Sequence, residues 1–235
     1  MLRRHQLVWL DAAGWASVQS QPRDPEAAEC VAHWAGHHLP LVVTRQGPDP
    51  GPLALGLPAP ARWQRRRLAL SVPRDRVVTW GAFPLAREIL PTLPAHAREP
   101  WRLLCDTLMR LSVVTRVHGS HGWEVITGQR HVRAGSDVDL HIAVGSTRAA
   151  DAVVECLEAA APWAPAIHGE LQFPDGADVP WREWARWRRG EVAEVMVKRL
   201  HGVALERPEA PMVPVVPAWS PRPPRSGGTP RPRGP

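Results

Sequence analysis

The chain has 235 residues, 44% apolar and 22% charged, ordinary globular usage that excludes wholesale disorder and allows one large domain or two small ones. Its net charge of +6 points toward nucleic acid until it is divided: Arg207, Arg222, Arg225, Arg231 and Arg233 against Glu209 place +4 of it in residues 207–235. The remaining body is nearly neutral, which argues against a specific nucleic-acid binder.

Cys30, Cys105 and Cys156 are far apart and form no C-x-x-C pair. That pattern argues against a disulfide framework or a cysteine-rich zinc site and fits a reducing cytoplasm. No apolar run approaches membrane-spanning length. The start, Met1-Leu2-Arg3-Arg4-His5, is not followed by the apolar segment of a signal peptide.

Residues 1–80 read as a small, mostly β domain. Leu39 to Thr44, Leu68 to Val72 and Arg76 to Trp80 are short apolar, β-branched runs, with a Pro/Gly-rich loop from Gly47 to Pro60 between the first two. Pro84, Pro91 and Pro94 punctuate a connector over 81–98, with Pro100 just beyond it. Residues 99–206 then alternate helix and strand signals: a helix over Glu99 to Leu111, strands over Val113 to His118 and Val138 to Val144, a helix over Thr147 to Ala160 capped by Ser146 or Thr147, and strands over Ile167 to Phe173 and Val192 to Lys198. This is an α+β pattern, a mixed sheet with helical cover. Ten prolines in residues 207–235 predict a disordered Pro/Arg-rich tail, because proline lacks an amide donor and fixes φ.

The chemistry concentrates in Val117 to Leu140. A strand ends in Gly119-Ser120, and Asp137-Val138-Asp139 opens the next strand, Asp137 lying seventeen residues after Ser120. Strand residues i and i+2 share a face, so Asp137 and Asp139 point one way while Val138, Leu140 and Ile142 point the other. Paired carboxylates repel unless a cation lies between them. Mg²⁺, with Mn²⁺ as a substitute, suits oxygen ligands and also takes phosphate oxygens. Gly119 lets the backbone approach closely, and Ser120 offers a hydroxyl and an amide to a phosphate.

Gly-Ser followed by a helix and then Asp-x-Asp on a neighbouring strand resembles the nucleotidyltransferase superfamily. A narrower resemblance, over residues 1 to about 206, is to the phosphoribosyl-dephospho-CoA transferases of malonate decarboxylase, its holo-acyl-carrier-protein synthases. It is carried by Arg4-His5-Gln6-Leu7-Val8-Trp9-Leu10, Leu41-Val42-Val43, Leu55-Gly56-Leu57-Pro58, Gly119-Ser120 with Trp123, Thr127 and Gly128, Ser136-Asp137-Val138-Asp139-Leu140, Gly169-Glu170-Leu171, Asp175-Gly176, Trp181-Arg182-Glu183 and Val197-Lys198. His121-Gly122 departs from the small apolar residues expected after Gly-Ser and predicts a less regular helix start.

The resemblance implies a nucleotidyltransferase-like fold and a triphosphoribosyl-dephospho-CoA donor. The acceptor it implies is a serine of the malonate decarboxylase acyl-carrier subunit. Asp137 and Asp139 would be metal ligands and catalytic, and Gly119, Ser120 and Lys198 would meet phosphate. Glu170 is nominated as a third catalytic carboxylate, since its strand face with His168 and Gln172 is polar; a solvent-facing glutamate is the plain alternative. Two rivals remain: another nucleotidyltransferase acting on a small molecule or protein, and a basic nucleic-acid-binding protein. Trp181, Trp184 and Trp187 read best as the buried stripe of an amphipathic helix, Arg65-Arg66-Arg67 as a solvated face, and His33, His37 and His38 as surface or packing residues.

Overall fold

A computed structural model describes residues 2–47, 51–162 and 166–208. The expected disordered tail lies outside the described residues from 209 on.

The N-terminal half is built on an antiparallel sheet of β1 (Leu7–Leu10), β2 (Leu41–Val43), β3 (Leu53–Pro58), β4 (Arg67–Val72) and β5 (Val77–Gly81), in the order β4-β3-β2-β1-β5. Two helices accompany it, α1 (Ala12–Gln19) and α2 (Pro25–Gly36). Each starts on an aspartate: Asp11 accepts from the Gly14 amide and Asp24 from the Ala27 amide, the latter with Pro25 at the first helical position. Trp15, Val18, Cys30, Val31 and Trp34 pack from these helices onto Leu41, Leu55, Leu57 and Leu70 of the sheet. The sequence reading misses both helices.

It also misplaces β3, which falls inside the expected loop Gly47 to Pro60. Leu53, Leu55 and Leu57 alternate into the core, and this burial outweighs the glycine and proline content. Pro58 is tolerated because it ends the strand. The Arg65-Arg66-Arg67 run is partly internal to this half: Arg66 holds Asp24 through two bonds of 2.7 and 2.6 Å, bracing the α2 cap.

The expected connector contains a 3-10 segment, Ala86–Thr92, whose Ala86 and Ile89 are buried. Helix α3 (Ala95–Arg110) starts earlier than expected and contains Pro100 near its N-terminus. The C-terminal half carries β6 (Val114–His118), α4 (Gly119–Thr127), β7 (Val138–Ala143), α5 (Thr147–Ala160), β8 (Ile167–Gln172), β9 (Asp178–Pro180), α6 (Trp181–Arg188), β10 (Val195–Lys198) and β11 (Val203–Glu206). Its sheet runs β11-β10-β9-β8-β7-β6, and only β7 and β8 pair in parallel. The chain is thus α+β, with a mixed sheet under helices, as the alternating signals predict. Helix α5 has the expected ends, capped by Ser146 on the Ala149 amide. Helix α6 buries Trp181 and Trp184.

The two faces of this sheet differ in chemistry. Val117, Val138, Leu140, Ile142, Ile167, Leu171, Val179, Val195 and Val197 face the core with α3, α5 and α6. The opposite face carries Arg116, His118, Asp139, His141, His168, Glu170, Gln172, Asp178 and Lys198. The N-terminal half lies against this polar face, bringing Arg3, Arg4 and His5 onto it.

Candidate active site

Asp137 immediately precedes β7 and Asp139 is its second residue, lying beside the N-terminus of α4. His118 and Asp139 are partners across the β6–β7 ladder, so the chain leaves β6 and enters α4 directly over the Asp139 carboxylate. Gly119 makes that approach possible. Its φ is +65°, and a Cβ there would sit 2.1 Å from Asp139 Oδ2. Helix α4 runs from Gly119 to Thr127, and its start is less regular than its body because Gly119, rather than His121-Gly122, takes a non-helical positive φ. Gly122 is required because a Cβ would sit 2.2 Å from the Val117 carbonyl oxygen. His121 is buried with Nδ1 2.7 Å from Thr92 Oγ1. Ser120 is half-buried in the first turn of α4, where backbone amides have no partner within the helix and favour anions.

Asp137 is half-exposed, with His168 Nε2 at 3.7 Å from its Oδ2. No arginine or lysine among the described residues pairs with either aspartate. Burial pushes the Asp139 carboxyl above its ordinary range; the charges of Asp137 and Glu170 push the same way, against His168 and His5. Two oxygen donors with uncompensated charge beside free helix amides fit a hard divalent cation that also carries phosphate.

Glu170 is buried on the same face, opposite His141 across the parallel β7–β8 pair, two residues along from His168, the partner of Asp139. Its Oε1 accepts from Lys198 at 2.6 Å, and its Oε2 lies 3.4 Å from both Arg4 and His5. Burial opposes ionisation of Glu170, but the bonds from His5 and Lys198 and the Arg4 charge outweigh it and hold the carboxyl well below the usual range. Lys198 therefore sits on Glu170 rather than open to an incoming phosphate. Asp178, which the sequence reading passes over, is buried between Arg4 at 3.2 Å, His141 at 3.1 Å and Gln172 at 3.3 Å. His5, Glu170 and Asp178 lie close enough to share a cation, but Arg4 and Lys198 already supply the positive charge there.

Two family models match the chain: the phosphoribosyl-dephospho-CoA transferase MdcG N-terminal domain over residues 3–83 and its C-terminal domain over residues 84–209. The chain belongs to the phosphoribosyl-dephospho-CoA transferase family. Similar relatives are the phosphoribosyl-dephospho-CoA transferases of Xanthomonas campestris pv. campestris, 33% identical over 87% of this chain and 94% of that one, and of Bradyrhizobium diazoefficiens, 33% identical over 86% and 88%. The enzyme of that name from Pseudomonas aeruginosa is 32% identical over 71% of this chain and 78% of its own. No solved structure matches the chain.

The family's transferase activity agrees with the resemblance read from the sequence. The boundary between the two family models, at 83/84, coincides with the point where β5 gives way to the segment leading into the second sheet.

Gly119→Ala tests whether the close approach matters. A non-glycine residue at φ +65° costs about 1–2 kcal/mol, and the added methyl must displace Asp139. Transfer is expected to fall by about a hundredfold, the usual cost of an ångström-scale misplacement. Gly128→Ala is the control: φ is +66° and nothing lies within 4 Å. It should lower the melting temperature similarly and leave transfer within about twofold. Equal activity loss in both variants would reduce Gly119 to a backbone requirement alone.

Proposed function

We propose that this enzyme transfers the phosphoribosyl-dephospho-CoA group from triphosphoribosyl-dephospho-CoA to a serine of the acyl-carrier subunit of malonate decarboxylase, in the cytoplasm, releasing diphosphate. The observation that carries the reading is the Asp137-x-Asp139 pair at the start of β7, with Gly119 at the N-terminus of α4 leaving room for the Asp139 carboxylate. Family membership supplies the donor chemistry.

In this reading the serine oxygen bonds to the α-phosphorus as the bond to diphosphate breaks, and the serine proton is released. Asp137 and Asp139 would hold Mg²⁺ or Mn²⁺, and the cation would supply positive charge to offset that on the transferring and leaving phosphates. The Gly119 and Ser120 amides and the Ser120 hydroxyl orient phosphate oxygens. Glu170, buried on this face, anchors Lys198 and the Arg4–His5 segment. Among the described residues no helix is long and apolar enough to cross a membrane.

The test is the intact mass of apo carrier protein after incubation with the enzyme, Mg²⁺ and donor. A mass increase equal to the phosphoribosyl-dephospho-CoA group, abolished by EDTA, is expected. An unmodified carrier with a free serine, together with turnover of an ordinary nucleoside triphosphate, would replace this reading with that of another nucleotidyltransferase.

A further inference from the structure

A second feature of the polar face adjoins the aspartate pair through His118, the cross-strand partner of Asp139. Arg3, Arg4, Arg116, His5, His118 and His141 converge on a half-open cleft of about 130 Å³. Its charge does not cancel. The buried carboxylates Glu170 and Asp178 are matched by Lys198 and Arg4. Among the described residues neither Arg3 nor Arg116 pairs with a carboxylate, so two guanidinium charges remain on the wall. Both are held in place: Arg116 Nη1 donates to the Phe83 carbonyl at 2.6 Å and Arg3 Nη1 to Gln172 Oε1 at 3.4 Å. His118 also lines the cleft, and its Nε2 is buried without a hydrogen-bond partner. The segment that brings Arg3 and Arg4 here turns at His5, a non-glycine residue at φ +60°. Such backbone strain persists only where its surroundings over-determine it.

We propose that this cleft seats the non-reacting diphosphate bridge of the donor, the diester that joins its adenosine and pantetheine parts. The inference rests on the donor named above. A diphosphate diester carries two negative charges, which match Arg3 and Arg116, and guanidinium forks suit phosphate oxygens. The cleft is smaller than the roughly 300 Å³ at which small-molecule pockets begin. It therefore takes a phosphate-sized fragment, with the rest of the ligand outside. Arg116 also borders an adjoining groove of mixed polarity, lined by Trp9, Phe83, Val125 and Ile126 with Glu88 among them, so a diphosphate on Arg116 can direct an organic substituent there.

The experiment is calorimetric titration with dephospho-CoA, which has the bridge but no triphosphate, and separately with inorganic pyrophosphate, both in EDTA. Dephospho-CoA should bind the wild-type chain and Asp139→Asn alike. Arg3→Ala should weaken it about tenfold, and Arg3→Ala/Arg116→Met at least a hundredfold, the usual effect of losing charge-assisted bonds. The single Arg3 variant guards against misfolding, since Arg3 is exposed. In turnover the same variants should raise the donor KM with little change in kcat. Unchanged dephospho-CoA affinity in the double variant overturns the proposal, as does absence of binding to the wild type. Binding of pyrophosphate alone also overturns it and assigns the cleft to the leaving group. If wild-type enzyme modifies the carrier while these bindings fail, only this inference falls. If it modifies no carrier, the donor assignment falls first.

Discussion

Asp139→Asn is expected to lower transfer by about a thousandfold and, in the same molecule, to raise the melting temperature of the metal-free protein. The activity loss follows from removing one of two carboxylates that would hold the cation against the phosphates. The stability gain follows from its raised pKa. A carboxyl whose pKa rises on folding binds its proton more tightly in the native state than in the unfolded chain. Its ionisation therefore costs stability as pH rises from the ordinary value near 3.8 through the higher native one, and the deficit persists at pH 7. Asparagine has no charge to bury, so the deficit disappears.

Added Mg²⁺ should reverse the order, because it stabilises only a native state that binds it. Asp137→Asn should lose transfer to a similar degree without the stability gain, since Asp137 is half-exposed. Thermal unfolding in EDTA and in Mg²⁺, beside carrier mass measurements, reads all of this. A fall in melting temperature in EDTA would make Asp139 a structural residue, and transfer within tenfold of wild type would remove the aspartate pair from the mechanism.

The aspartate pair was legible because its signal is local. Alternation over Val138 to Val144 places Asp139 on the face opposite Leu140 and Ile142, and Val138, Leu140 and Ile142 are buried accordingly. Helix α5 was equally plain, with Ser146 at its cap and apolar residues at helical spacing. Strand β3 was obscured because Pro52, Gly56 and Pro58 mask the alternation of Leu53, Leu55 and Leu57. The partners of Glu170 were hidden for a different reason. Arg4 reaches Glu170 across 166 positions and Asp178 across 174, and a contact at that separation leaves no periodicity to read. The polar face of β8 was visible in His168, Glu170 and Gln172, but not the segment that covers it. Glu170 is therefore buried where its sequence equally suggested a solvated side chain.

Glu170→Gln should destabilise the protein by about 3 kcal/mol, because it strands buried positive charge. The lower part of the usual range applies: Lys198 is 28% exposed and can turn its ammonium to water, and Arg4 keeps Asp178. For a chain of this size the melting temperature should fall roughly 6–12 °C. The loss must depend on pH. Glu170 is held below its ordinary value near 4.5, so its contribution is complete above that value and is lost as pH falls through and below it toward the native pKa. The gap between wild type and Glu170→Gln should accordingly be widest near pH 7 and close on acidification. Glu170→Gln/Lys198→Met removes both ends of the 2.6 Å pair and should recover part of the lost stability. A gap that stays constant from pH 7 to pH 3 would mean that side-chain shape, not charge, sets the contribution of Glu170. Because Glu170 tethers Arg4 and His5, the single variant should also loosen residues 3–6 ahead of global unfolding. Faster amide exchange there, with exchange in β7 and β8 less affected, would identify Glu170 as the residue that holds the N-terminal segment across the site.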